Sequence, residues 1–292
     1  MENFIIQFLN GLVSGMLLFI MAAGLSLIFG QMNVINLSHG AFYLLGGYIG
    51  LTLRVIPQLD NFWLALILAP ILVAVIGVAI ERFLLRRFYG GHHHLEQVLL
   101  TFGIALVASD LIQWNWGAYV ESVPPPDLLA GQVPIFGIQF PIYRLSIILF
   151  GLLLALILWI FLERTRLGAI VRAGVSDAQM VSGLGINIEL VFAGVFALGI
   201  ALAALAGVIG APIRSLYPGL DFEILILTVV VVVVGGLGTL KGAFWGALLI
   251  GMADTFGKAL IPEFSLFLIF AVMAIVLLIR PSGLFGLEGI DA

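Results

Sequence analysis

The chain has 292 residues, of which 62% are hydrophobic and only 10% are charged, and its net charge is −4 at pH 7. Soluble domains carry about 25% charged residues, so a chain this apolar cannot cover its core with polar surface and must use lipid as part of its solvent. The acidic balance argues against nucleic acid as a partner, and the absence of cysteine excludes disulfides and thiol chemistry. The composition therefore predicts a polytopic membrane protein.

Six stretches are long and apolar enough to cross a bilayer, which takes about 20 such residues. They are residues 4–29, 62–80, 98–116, 143–162, 191–213 and 264–279. Two regions are less regular: residues 37–53 are rich in Gly and Tyr, and residues 222–259 are interrupted by GGLGTLKG. Because an open strand in lipid leaves backbone groups unsatisfied, the Val-rich run before that interruption is expected to be a short or re-entrant helix.

The predicted fold class is an all-α, polytopic membrane protein of about eight to nine transmembrane helices, with broken or re-entrant segments. Residues 1–292 are expected to form a single transmembrane domain, with a cytoplasmic connector at residues 163–190.

The basic residues indicate an orientation, because cytoplasmic loops of membrane proteins are enriched in Lys and Arg. With nine crossings, one side receives most of the twelve Lys and Arg residues. This set consists of Arg82, Arg86, Arg87, Arg164, Arg166, Arg172, Lys241 and Arg280. We therefore expect an external N-terminus and a cytoplasmic C-terminus.

The connector at residues 163–190 is long and polar for a chain committed to lipid. Connections between membrane helices are usually short, so this length needs a reason. Its pattern predicts two short helices, at 168–173 and 176–184. The second has only about two turns, too few to be stable alone, so it should lean on the cytoplasmic face of this chain or on a partner.

The predicted second helix carries start and stop signals. Ser176 is placed to cap it, with Gln179 three residues later in the capping-box position. Gly183 and Gly185 are expected to end it, as glycines do at helix C-termini.

Three separated motifs bear a family resemblance. GLSLIFGQMNVINLSHGAFYLLGGY at 24–48 and VVVVGGLGTLKGAFWGALLIGMADT at 231–255 are similar to the N-terminal and C-terminal signatures of the high-affinity branched-chain amino acid permeases of ABC importers. RTRLGAIVRAGVSDAQMVSGLGIN at 164–187 resembles the coupling loop of these permeases, although Ser176-Asp177-Ala178 stands where a stricter Glu-Ala-Ala is usual. Urea and short-chain amide permeases share the motifs, so the solute stays open.

The resemblance implies a transport subunit in the inner (plasma) membrane and not an enzyme. An external binding protein would deliver the solute, a second homologous permease chain would complete the path, and two cytoplasmic ATPase subunits would bind and hydrolyse ATP, so that no cofactor is expected on this chain. The ATPase-coupling residues it implies are Arg166, Arg172, Ser176, Asp177, Ala178, Gly183 and Gly185.

The two breaks supply candidates for the translocation path or for helix interruption: Asn33, Asn36, Ser38, His39, Gly235, Gly236 and Gly238. Broken helices are tolerated in lipid where they are buried in protein or line a cavity. For Asn36 and Ser38 we favour helix-end capping over a path-lining role, and for His39 a buried, satisfied side chain. For the glycines we favour close helix packing, because the run lacks the spacing of a phosphate-binding loop.

Three carboxylates in or near the spans, Asp110, Glu223 and Asp254, leave an ion-coupled secondary transporter as the rival function. They lie in different segments without obvious paired charges, so positions near the external interface are favoured for Asp110 and Asp254. No metal site is predicted, because the histidines at 92–94 have no carboxylate or thiol cluster beside them. A membrane scaffold without transport is the weakest alternative.

Overall fold

A computed structural model describes residues 2–32, 36–55, 61–88, 94–135 and 137–286. These form eleven α-helices: α1 Glu2–Met32, α2 His39–Val55, α3 Phe62–Phe83, α4 His94–Trp116, α5 Ile142–Arg164, α6 Arg166–Ser176, α7 Ala178–Gly183, α8 Ile188–Arg214, α9 Leu220–Gly235, α10 Leu240–Leu260 and α11 Ser265–Ile279. Strands β1 Gln132–Ile135 and β2 Ile138–Pro141 pair as a small antiparallel hairpin. The all-α prediction is confirmed.

The six predicted spans are confirmed as well. Among the described residues, six helical segments are long and apolar enough to cross a membrane: Glu2–Gly30, Phe62–Phe83, His94–Trp116, Ile142–Arg164, Ile188–Arg214 and Pro262–Ile279. The interrupted region forms α9 and α10, which meet at a bend of 119°. The described part thus has six spans, or seven if the bent pair α9–α10 is counted as one, compared with the eight to nine expected from the sequence. The helices α2 and α9, with 17 and 16 residues, are shorter than these six.

Contacts show which helix ends lie together. The rings of Phe4 and Phe256 are 5.5 Å apart, and Gly30 packs on Gly238, so α1 and α10 are antiparallel along their lengths. We call the end with Gly238, α6 and α7 the coupling face. The opposite end, with the start of α1, the hairpin and the end of α8, is the far face; there, Glu121 and Leu216 exchange backbone hydrogen bonds of 2.8 Å.

Small residues bring the central helices into close contact. A Cβ atom on Gly207 of α8 would lie 2.0 Å from the carbonyl oxygen of Tyr43 in α2, and one on Gly46 would lie 2.4 Å from the Cα of Ala204. Without hydrophobic driving force between helices in lipid, such close approach supplies the packing attraction that holds them together. The start of α2 is thereby held inside the bundle.

Candidate functional site

The connector between α5 and α8 turns three times, and each turn is fixed by a side-chain cap. Thr165 Oγ1 accepts from the N–H of Gly168 at 3.0 Å, and Asp177 Oδ1 accepts from the N–H of Met180 at 2.8 Å. Asn187 Oδ1 accepts from the N–H of Leu190 at 3.1 Å. Because every helix here starts on a satisfied cap, α6 and α7 have well-defined starts, and we call them the coupling segment.

The predicted cap of α7 was wrong by one residue. Ser176 is the last residue of α6, and Asp177 is the N-cap of α7 with the extended backbone that capping requires (φ −156°, ψ 94°). Ala178 is then the first helical residue and Gln179 the second. Gln179 is therefore one position too early to complete a capping box. The first helix is also longer than predicted, Arg166–Ser176 in place of 168–173.

The end of α7 follows the predicted stop signal. Gly183 is the last helical residue, and the N–H of Leu184 donates to the carbonyl of Met180 at 3.2 Å. Gly185 adopts a left-handed backbone with φ +83°, which glycine takes without the steric cost of a Cβ. A Cβ on Gly183 would meet nothing within 4 Å.

The surface of α7 is divided into two sides. Val181 is 4% exposed, whereas Met180 and Leu184 are 69% and 75% exposed. Met180 and Leu184 are four residues apart, which places both on one side of a helix. The sequence prediction missed them, although an apolar i, i+4 pair in a polar connector was a usable signal.

The basic residues of the coupling segment have different surroundings. Arg172 lies 3.8 Å from the carboxylate of Glu163, Arg86 pairs with Glu189 at the start of α8, and Arg166 is exposed. A cavity of about 430 Å³ lies behind the segment, between α1, α5, α6 and the start of α10, and Arg172 and Lys241 both line it. The coupling segment thus adjoins the second break.

That second break is a glycine turn. α9 ends at Gly235, and Gly236 and Gly238 have φ angles of +106° and +76°. A Cβ on Gly235 would lie 2.1 Å from the carbonyl oxygen of Gly242. The helix break and the close packing expected of these glycines are both observed. The first break meets this one, because Gly30 at the end of α1 packs on Gly238.

The first break leads into a buried helix start. Asn36 Oδ1 accepts from the N–H of Ser38 at 3.1 Å and from its hydroxyl at 2.5 Å. These bonds fix the turn before α2, and the expected capping of a helix N–H is not among them. His39 is fully buried, and its Nε2 lies 3.1 Å from the carbonyl oxygen of Met21, about two thirds of the way along α1. Asn33 lies outside the described residues.

The starts of α2 and α9 meet inside the bundle. A Cβ on Gly40 would lie 2.2 Å from the carbonyl oxygen of Asp221. The Asp221 side chain is buried, and one of its carboxylate oxygens accepts from the hydroxyl of Ser109 in α4. Thr101 of α4 accepts from the N–H of Leu37 at 3.3 Å. The N-terminal ends of both helices carry partial positive charge, which favours a carboxylate at this place.

We call this group the polar core: Asn36, Ser38, His39, Thr101, Ser109 and Asp221. Among the described residues, no hydrogen-bond partner reaches Asn36 Nδ2, His39 Nδ1 or the second carboxylate oxygen of Asp221. Buried polar atoms are normally paired, so three unsatisfied ones in one group leave room for further hydrogen bonds in another state of the protein. The sequence prediction missed Asp221, because nothing in its own segment shows that α9 starts beside α2.

The three carboxylates considered from the sequence have separate surroundings. Asp110 is exposed, and Glu223 accepts from the hydroxyl of Tyr217 at 2.8 Å. Asp254 is 3% exposed and lies near the far-face end of α10. Its position near the external interface stays a prediction. The expectation that it lacks a paired charge was wrong: Lys258 lies 2.8 Å and Arg214 4.0 Å from its carboxylate.

An all-α bundle of membrane-crossing length, with a capped helix exposed at one face and two broken helices meeting around buried polar groups, has the organisation of a membrane transport subunit. The family described as "Branched-chain amino acid transport system / permease component" matches residues 7–277. The chain belongs to this family.

Curated relatives extend over almost the whole chain. The chain is 30% identical to the high-affinity branched-chain amino acid transport system permease protein BraD of Pseudomonas aeruginosa, covering 97% of this chain and 96% of the relative. It is 29% identical to the corresponding protein LivH of Salmonella typhimurium, with the same coverage. It is 26% identical to the probable branched-chain amino acid transport permease protein LivH of Methanocaldococcus jannaschii, covering 93% and 89%.

A solved structure shares the fold. A chain of PsaBC from Streptococcus pneumoniae in complex with Fab aligns with a TM-score of 0.51 and 14% identity, covering 94% of this chain and 91% of that one. At this identity the likeness concerns the arrangement of helices alone.

Proposed function

We propose that this chain is the permease subunit of an ATP-driven importer for branched-chain amino acids in the inner membrane. Its partners are a second homologous permease chain, two cytoplasmic ATPase subunits that bind the ATP, and an external binding protein. The far face lies outside and the coupling face in the cytoplasm, which the distribution of basic residues supports. The names of the curated relatives support the solute class.

The observation that carries this proposal is the coupling segment. Met180 and Leu184 present apolar surface on a short helix whose start and end are fixed by Asp177 and Gly185. Exposed apolar residues on a polar element are typical of protein or membrane contact sites, and the resemblance to a coupling loop favours a protein here. We assign Arg166, Arg172, Ser176, Asp177, Ala178, Gly183 and Gly185 to the ATPase-binding region and add Met180 and Leu184 as its apolar anchors.

ATP-driven motion would act on α7 and pass into the helices that flank it. α8 begins five residues after α7 and is pinned to the end of α3 by the pair Arg86–Glu189. When α3 and α8 tilt, α4 and α9 move relative to α2, and the hydrogen bonds of the polar core between these helices change. In this mechanism Asn36, Ser38 and His39 border the path, and the glycine turn at 235–238 is the hinge between α9 and α10.

A double substitution tests the ATPase contact. Met180→Glu with Leu184→Glu places two charges on the proposed apolar anchors and should abolish co-purification of the ATPase subunits and ATP hydrolysis stimulated by the binding protein. Leu128→Glu is the matched control, because Leu128 is 79% exposed at the far face. Full ATP hydrolysis in the double variant would exclude this contact. Uptake that follows a proton gradient without ATPase subunits would establish the secondary transporter instead.

Orientation and solute have their own tests. The chain has no cysteine, so Met180→Cys and Leu128→Cys each introduce a single reactive thiol. A membrane-impermeant maleimide added to intact cells should label the chain with Leu128→Cys and not the chain with Met180→Cys.

A competition experiment tests the solute. In reconstituted vesicles, isoleucine and valine should compete with leucine uptake, whereas urea and acetamide should not. Competition by urea would move the chain to the urea and amide group of importers.

A further inference from the structure

A charged cleft opens at the far face between α1, α5, α8 and α10. Its volume is about 400 Å³, within the range of about 300–1,000 Å³ typical of small-molecule sites. Its charged residues are Arg144, Arg214, Asp254 and Lys258, and Asn10, Val13 and Ile213 also line it. We use "charged cleft" for this group below.

The cleft carries both signs of charge, with the positive sign in excess. Asp254 is its carboxylate, with a side chain 5% exposed, and three basic side chains line the same cleft. Lys258 Nζ lies 2.8 Å from Asp254, and Arg214, 19% exposed, lies 4.0 Å away. Arg144 donates at 2.6 Å to the neutral amide oxygen of Asn10. One carboxylate cannot neutralise three cations, so the cleft favours a ligand that brings a negative charge.

We propose that the charged cleft binds a free α-amino acid as a zwitterion at the entrance of the path. The carboxylate lies against the guanidinium groups of Arg144 and Arg214, whose planar forks suit it, and the ammonium donates to Asp254. The aliphatic side chain then contacts Val13 and Ile213. This inference rests on the proposed function and deepens it, because it places the solute on this chain and not only on the binding protein.

Lys258 and Arg214 differ in exposure, so that one of them can move aside for the ligand while the other stays in place. Lys258 is 57% exposed and sits on a flexible four-carbon stem, so its ammonium can leave Asp254 when the ammonium of an amino acid arrives. Arg214 is mostly buried and stays beside Asp254. The exchange replaces one ammonium by another and leaves the charge at Asp254 balanced throughout.

A small ligand explains the burial better than a docked protein does. A protein contact at this face would use exposed charges, yet Asp254 and Arg214 lie recessed among four helices. A buried carboxylate between cations is reached by a molecule that enters the cleft, and the ammonium of an amino acid is small enough to do so.

A binding measurement tests the proposal. It uses the assembled permease–ATPase complex in nanodiscs, without the binding protein. Saturation-transfer NMR should detect leucine, and should detect leucinamide and 4-methylpentanoate at least tenfold more weakly, since each lacks one of the two charges. Arg144→Gln and Asp254→Asn should each weaken leucine binding at least tenfold. Arg144→Gln leaves no buried charge unpaired, so it remains informative where Asp254→Asn lowers folding yield.

Matched controls lie on the same face outside the cleft. Arg54→Gln and the exposed Glu263→Gln should bind leucine like the unmodified complex. Equal binding of leucine, leucinamide and 4-methylpentanoate, or unchanged binding in Arg144→Gln, would overturn the proposal.

Uptake of leucine delivered by the binding protein distinguishes failure of the cleft proposal from failure of the proposed function. If the complex imports leucine with ATP while the cleft variants bind and import normally, the cleft proposal fails alone. If the unmodified complex neither imports leucine nor hydrolyses ATP with the binding protein, the proposed function fails. If the cleft variants bind leucine normally but the binding protein no longer stimulates their ATP hydrolysis, the cleft is a protein contact. This result would also overturn the proposal.

Discussion

The coupling segment and the polar core both depend on polar side chains, but their partners lie at different distances along the chain. Asp177 and Asn187 each bond a backbone N–H three residues away. In the polar core Asn36 and Ser38 also bond locally, but the partners are 18 residues apart for His39 and Met21, and 112 for Ser109 and Asp221. The coupling segment therefore keeps its shape wherever the bundle moves, whereas the polar core is assembled only in one arrangement of the helices.

Under the proposed function, this contrast separates two mechanical roles. A short element that transmits force must not deform, and local caps give it that property. A group that opens or closes a path must change when helices tilt, and hydrogen bonds between different helices do so. The following substitutions test whether the two regions differ as described, beginning with the largest expected effect.

Packing around the polar core should tolerate no added atoms. Gly207→Ala puts a Cβ 2.0 Å from the Tyr43 carbonyl and must displace α2 from α8, at a cost of about 3 kcal/mol. Thermal unfolding of the purified chain should show the loss. Gly183→Ala in the coupling segment, where a Cβ meets nothing within 4 Å, should leave the melting temperature unchanged. Similar melting temperatures for the two variants would contradict the contrast.

Long-range hydrogen bonding should matter next. Ser109→Ala removes the donor to the buried carboxylate of Asp221, and hydrogen bonds to charged groups are worth about 1.5–3 kcal/mol. The same thermal measurement applies. Ser146→Ala is the control, because Ser146 bonds only the nearby carbonyl of Tyr143 at 2.7 Å. An equal effect of the two substitutions would show that the Ser109–Asp221 contact adds nothing.

The left-handed stop of α7 should tolerate substitution less well than the residue two positions before it. Gly185→Ala forces a Cβ into a backbone with φ +83°, which costs roughly 1–2 kcal/mol. We expect a lower rate of ATP hydrolysis stimulated by the binding protein, with normal membrane insertion. Gly183→Ala introduces no such strain, and the control for ATP hydrolysis is Gly194→Ala in α8, where a Cβ also meets nothing within 4 Å. A normal rate in Gly185→Ala would mean that the geometry of this turn is not needed for coupling.

The N-cap of α7 gives the smallest effect. Asp177→Ala should cost about 1 kcal/mol of local helix stability, which speeds amide hydrogen exchange at residues 180–182 roughly fivefold. Gln179→Ala should not change that exchange, because Gln179 is the second helical residue and not the third. The reverse result would restore the capping box that the sequence suggested.

The features that the sequence predicted correctly are those that depend on neighbouring residues. The six spans, the glycine stop at Gly185 and the break at Gly235–Gly238 were predictable, because hydropathy and backbone preferences act within a few residues. Even the error at Ser176 was only one residue, since Ser and Asp are almost equally good caps.

Tertiary partners were not predictable from the sequence. Asp221 looked like one of several acidic residues at a helix start, and only the packing of Gly40 on its backbone places it at the beginning of α2. The pairing of Asp254 with Arg214 was missed for a similar reason, because 40 residues, including the whole of α9, separate them along the chain. Such pairs depend on where helices cross, which periodicity does not encode.

α8 runs without a break from Ile188, next to the coupling segment, to Arg214 in the charged cleft. At 1.5 Å per residue, its 27 residues reach about 40 Å from one face to the other. A single rod therefore joins the motor's contact to a cation beside Asp254. In the proposed importer, if nucleotide-loaded ATPase bound at one end of α8 changes the affinity of the charged cleft for solute, thermodynamic reciprocity requires that solute change the affinity for the ATPase by the same factor.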